Sequence, residues 1–78
     1  MEVNMGNETK RERFVRIAET RTNKIIDMIR LLGNCSNKGN YAYTEEDVKK
    51  IFSAIESELK TAKAKFAEVE STERKFKL

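Results

Sequence analysis

Apolar residues recur at helical spacing along two stretches of the chain, and a polar, Asn-rich stretch divides them. In the first stretch they fall at Phe14, Ile17, Ala18, Ile25, Met28, Ile29 and Leu32. Steps of three and four keep such residues on one face of a helix. In the second stretch they fall at Val48, Phe52, Ile55, Leu59, Ala62, Phe66 and Val69. Those steps alternate four and three, which is the a/d seam of a heptad repeat. No strand-like alternation competes over either length. The pattern predicts one domain over 1–78, with a flexible polar arm over 1–8, a helix over 9–33, a loop over 34–43 and a helix over 44–75.

Local signals mark the ends of both helices. Thr9-Lys10-Arg11-Glu12 has the Thr-x-x-Glu spacing of a capping box, with Asn7 as a competing N-cap. Gly33 is expected to stop the first helix as a C′ residue in the left-handed conformation. Asn34, Asn37 and Asn40 then recur every third residue, and Asn side chains fold readily onto nearby backbone. Lys38-Gly39-Asn40 reads as a tight turn. Thr44 and Asp47 form a second capping box, with Tyr43 and Val48 spaced for a hydrophobic staple. Glu45, Glu46 and Asp47 set negative charge at the positive end of the helix dipole. No stop signal follows the second helix, and Phe76 is an isolated apolar residue near its end.

The two helices can be aligned antiparallel on pairs whose numbers have a near-constant sum. The matches are Phe14 with Phe66, Ala18 with Ala62, Ile25 with Ile55, Met28 with Phe52 and Leu32 with Val48. Arg21 opposite Leu59 is the weak layer, where the Arg stem must lie along the core and send its head outward. Residues 25–32 are apolar around most of the helix circumference, and Ile51 widens the second helix's apolar face. A helix that is apolar on several sides needs cover on several sides, and one partner helix cannot supply it. The expected fold is therefore all-α, an antiparallel two-helix hairpin that pairs into a dimeric four-helix bundle.

Composition narrows the options. At 78 residues the chain is small, and small folds usually need a disulfide, a metal or a partner. One Cys and no His exclude an intrachain disulfide and a Cys/His zinc site. The absence of Pro and the 37% charged residues suit long helices. The lone Cys35 fits a reducing cytoplasm, the expected location. No apolar run reaches the roughly 20 residues of a membrane span, and the first ten residues lack a secretory pattern. The net charge of +3 is mild for a polyanion binder.

No catalytic constellation is visible, and neither a cofactor nor a small-molecule substrate is expected. His, the commonest general base, is missing. Cys35 would sit at the negative end of the first helix, which disfavours a thiolate. Capping accounts for Glu45, Glu46 and Asp47, so no metal is expected either. Two surfaces remain. Arg13, Arg16, Thr20 and Lys24 lie along one stripe of the first helix, within a run that also holds Lys10, Arg11 and Arg21. Such a stripe suits phosphate contacts, although a solvated helix face is the commoner reason for one. The other surface gathers Ile26, Ile29, Leu31, Asn34, Asn37, Tyr41 and Ile51 near the loop. Exposed aromatics beside amides suit a protein partner. Dimerisation would also use the apolar members.

The segment RFVRIAETRTNKIIDMIRLLGNCSN, followed by YAYTEEDVKKIFSAIESELKTAKAKF, resembles small uncharacterised helical proteins carried by integrative and conjugative elements of Gram-positive bacteria. The likeness spans about residues 11–66. Its most specific parts are Leu32-Gly33-Asn34 with Ser36-Asn37, and Tyr43-Thr44-Glu45-Glu46-Asp47-Val48. It implies a setting and a shared fold, with no site residues. The expected function is a non-enzymatic, homodimeric accessory module of a mobile element that binds an unidentified protein through its apolar loop end. The alternative is a regulatory nucleic-acid-binding protein that uses the basic face of the first helix.

Overall fold

The structure, a computed structural model, describes residues 7–75, with side chains to residue 69. The first part of the predicted arm and Phe76 lie outside the described residues. The fold is all-α, in the helix–loop–helix order that the hydrophobic pattern predicts. Helix α1 spans Lys10–Gly33, a short 3-10 helix spans Asn34–Ser36, and helix α2 spans Glu45–Lys75. No strand occurs among the described residues. The chain forms two compact units, Met1–Tyr41 and Ala42–Leu78.

In the first unit, α1 starts at the predicted capping box. The Glu12 N–H donates to Thr9 Oγ1 at 3.0 Å, and the Thr9 N–H donates to Glu12 Oε1 at 2.9 Å. Two of the helix's orphan donors are thereby satisfied by neighbours three residues away. At 24 residues, α1 is about 36 Å long. Arg11 lies over the ring of Phe14, its guanidinium carbon 5.9 Å from the centroid, within cation–π range.

The end of α1 departs from the sequence expectation. Gly33 is right-handed, with φ −59° and ψ −31°, and no glycine among the described residues has a positive φ. The helix does not stop on a left-handed residue. It tightens into the 3-10 helix, and the Asn34 N–H is shared among the carbonyls of Arg30, Leu31 and Leu32. Such tightening is a common way to use up the last carbonyls of a helix. The Asn37 N–H then donates to the Asn34 carbonyl at 3.4 Å, and Asn37 takes an extended conformation with ψ 100°. The chain leaves the helical path at Asn37.

Asn37 organises the loop. Its carbonyl accepts from the N–H groups of Asn40 at 3.1 Å and Tyr41 at 3.0 Å. Its side-chain Oδ1 accepts from the Gly39 N–H at 2.9 Å. That is an Asx turn, and it closes the predicted turn at Lys38-Gly39-Asn40. A Cβ at residue 39 would lie 3.1 Å from the same Oδ1. Gly at this position leaves the carboxamide room to make its bond.

In the second unit, α2 runs 31 residues, about 46 Å. Its start is also the predicted box. The Asp47 N–H donates to Thr44 Oγ1 at 3.1 Å, and the Thr44 N–H donates to Asp47 Oδ2 at 2.9 Å. The first backbone bond of the helix, from the Val48 N–H to the Thr44 carbonyl, is 3.2 Å. Three acidic residues, Glu45, Glu46 and Asp47, occupy the first turn and complement the dipole.

No described residue is buried. Val15, Ile17, Ala18 and Leu32 of α1 and Ile55 of α2 are half-buried, and the other large apolar residues of both helices are exposed.

Candidate interaction surfaces

Six of the seven residues expected at a partner surface belong to the first unit. Ile26, Ile29 and Leu31 lie on α1 and are 40%, 48% and 58% exposed. Together with Ile25, Met28 and Leu32 they sweep an arc of about 220° at 100° per residue. Asp27 and Arg30 hold the remaining side, with Arg30 Nη1 4.0 Å from Asp27 Oδ1. This stretch has too little polar surface to be content in water on its own.

The loop residues divide by role. Tyr41 is 51% exposed, and its backbone N–H is tied to Asn37. The ring is therefore displayed from an anchored position. Asn34 is exposed, and its backbone belongs to the helix end. Asn37 is a turn former. Its carboxamide oxygen accepts a bond within the loop. Ile51, the seventh residue, belongs to the second unit. It is 40% exposed on α2 and lies beside the seam residues Val48 and Phe52.

Cys35 sits exposed in the 3-10 helix, with its Sγ 3.9 Å from the Leu31 carbonyl. A thiol can donate weakly to that oxygen. The contact is the ordinary end-of-helix bond of a small residue.

The basic stripe contains a partner that the spacing rules missed. Glu8, placed by the sequence pattern in a flexible arm, folds back along the first two turns of α1. Arg16 Nε and Nη2 each donate to its carboxylate at 2.8 Å. Arg13 Nε lies 4.0 Å away. The Glu8 side chain is only 8% exposed. A two-pronged Arg–carboxylate contact is among the stronger polar pairings. The hydrogen bond from Arg16 holds the Glu8 carboxyl below its ordinary value of 4.5, and the charges of Arg16 and Arg13 add to the effect against the loss of solvent. The same bond pushes the Arg16 pKa up.

Of the four residues expected to contact nucleic acid, Arg16 is therefore committed to Glu8, and Arg13 shares that charge. Thr20 Oγ1 donates to the Arg16 carbonyl at 2.9 Å, as helix hydroxyls commonly do. Lys24 is exposed on the same helix. The only sequence signal for Glu8 was an acid eight residues before Arg16, outside the usual three- and four-residue pairings.

On α2 the seam is open. Phe52, Leu59, Phe66 and Val69 are exposed along it, and a shallow groove lined by Glu58, Thr61, Ala62, Lys65, Phe66 and Val69 runs over its C-terminal half. Among the described residues, no group of three or more His, Cys, Asp or Glu gathers to hold a metal. No helix among them is long and apolar enough to cross a membrane. Comparison of the chain with protein-family models, with curated proteins and with solved structures returned no match.

Proposed function

We propose that this chain is a non-enzymatic helical accessory module, carried by a mobile genetic element, that works by binding protein. The observation that carries the reading is the exposed apolar arc of residues 25–32 on α1, in the same unit as the exposed Tyr41. Exposed apolar surface of this extent on so short a chain is a docking surface, since water-facing helices keep their apolar stripe narrower. The chain also pairs with a second copy of itself into a helical bundle, which covers further apolar area. Its setting in a mobile element rests on the sequence resemblance over residues 11–66.

The nucleic-acid alternative is weaker than the bare sequence suggests. Glu8 already pairs with Arg16 and lies near Arg13, so part of the stripe's positive charge is offset within the chain. The test is capture from nuclease-treated host lysate, with wild type beside an Ile26→Asp/Leu31→Asp variant whose helicity is checked by circular dichroism. A protein retained by wild type and lost by the folded variant is the expected result. A partner retained equally by both, or capture that depends on nucleic acid, overturns the reading.

A further inference from the structure

We infer that Arg13 and Arg16 form a carboxylate-binding site for an acidic segment of the protein partner, and that Glu8 is its internal occupant, a latch that the partner displaces. The inference names the partner's chemistry and rests on the protein-binding reading above. Arg16 holds Glu8 through one edge of its guanidinium, with Nε and Nη2 each 2.8 Å from a different carboxylate oxygen. This is the two-pronged geometry in which a guanidinium recognises a carboxylate. The occupant is a carboxylate carried on polypeptide, which is the group that an acidic peptide presents.

Glu8 fills only part of the site. Its carboxylate takes its two hydrogen bonds from Arg16. Arg13 Nε stands 4.0 Å from Glu8 Oε1, beyond hydrogen-bond length. Arg13 lies three residues before Arg16, so the two project from one side of α1, about 4.5 Å apart in rise. Each guanidinium is a planar fork matched to a whole carboxylate, and a single carboxylate serves one such fork well. An acidic segment brings a second carboxylate for Arg13. Both Arg side chains remain open to solvent while Glu8 is covered, so the outer side of the site is accessible. A phosphate would meet the same donors, but the net charge of +3 is mild for a polyanion binder.

The latch can open without unwinding the helix. Glu8 precedes the N-cap, and Thr9 and Glu12 hold the first turn through their own reciprocal bonds. Thr9 is extended, with ψ 167°, so Glu8 lies outside the helical ladder. Exposed ion pairs contribute little to stability, and displacement of Glu8 is correspondingly cheap.

The test is a titration of the isotope-labelled full chain with hexaglutamate at low salt, followed by NMR at the Arg side-chain Nε–H resonances. Wild type is compared with Glu8→Ala and with Glu8→Ala/Arg16→Ala, and circular dichroism checks the helicity of each. Glu19→Ala, which removes an exposed acid from the same helix, controls for the simple loss of a negative charge. Removing the latch should tighten binding roughly two- to fivefold, the range that an exposed ion pair spans. The Arg13 and Arg16 signals should move most. The gain should be absent from Glu19→Ala and lost in the double variant. Equal affinities in Glu8→Ala and Glu19→Ala, or a titration that leaves the Arg13 and Arg16 signals in place, overturns the inference, whatever the lysate capture gives. A short DNA duplex that gains from Glu8→Ala where hexaglutamate does not would assign the site to phosphate and overturn it as well. Failure of the lysate capture beside the expected hexaglutamate result would overturn the protein-binding reading instead.

Discussion

Replacing Thr44 by Ala tests whether α2 depends on its first turn. The change removes the Oγ1 that accepts from the Asp47 N–H at 3.1 Å. It also loosens the return bond from the Thr44 N–H to Asp47 Oδ2 at 2.9 Å, since the two bonds hold each other in place. The backbone bond from Val48 to the Thr44 carbonyl stays. All the groups concerned are exposed, so water re-solvates the freed N–H and the full penalty of a buried orphan does not apply. The expected cost is therefore that of an ordinary N-cap, about 1 kcal/mol. Asp47→Ala should cost a similar amount, from the lost bond plus a dipole contribution of roughly 0.3–1 kcal/mol. Glu45 and Glu46 keep part of that dipole compensation. Because the bonds are reciprocal, the double variant should cost less than the two single changes added together. The assay is urea unfolding followed by helical ellipticity at one fixed chain concentration, because pairing shifts apparent stability. With a slope near 1 kcal/mol per molar for so small a chain, the Thr44→Ala midpoint should fall by about 1 M. Thr44→Ser should restore it. A Thr44→Ala midpoint equal to wild type, or strict additivity of the two changes, would refute the reasoning.

Two further outcomes follow from what the structure places elsewhere. Gly33→Ala should raise stability by about 0.4–1 kcal/mol, because Gly33 is right-handed and a Cβ there meets nothing within 4 Å; loss of stability in the same urea assay would instead support a left-handed helix end. Glu8 should titrate below 4.5 in carboxyl-detected NMR and return to the ordinary range in Arg16→Ala. The sign is that of a lowered carboxylate: the bridge stabilises the start of α1 fully above the ordinary Glu value and is lost as pH falls through the lowered one. A Glu8 titration unmoved by Arg16→Ala would sink the bridge.

Much of the fold was legible because its signals are local. Both capping boxes rest on side chains reaching three residues along the chain, so Thr9 with Glu12 and Thr44 with Asp47 can be read from spacing alone. The turn at Lys38-Gly39-Asn40 was legible for the same reason, because Asn37 closes it within its own neighbourhood. The exposure of the candidate residues was legible from their helix positions, and the contacts some of them make were not. Asn37, a candidate for the partner surface, also closes the loop turn through its Oδ1. Arg16 looked available to phosphate and is held by Glu8.

The sequence by itself determined that the chain is all-α, where each helix begins, and that its apolar residues outnumber the faces two helices can give each other. Helix periodicity and i-to-i+3 capping are properties of a few consecutive residues, so no tertiary information was needed. Only the folded chain shows how α1 ends and which charges pair. Gly33 permits a left-handed stop, but the carbonyls of Arg30, Leu31 and Leu32 found a donor in Asn34 first, and the chain tightened instead of reversing. Glu8 reaches Arg16 only once the first two turns of α1 are formed. That contact depends on side chains meeting in space, eight positions apart, and no residue pattern announces it.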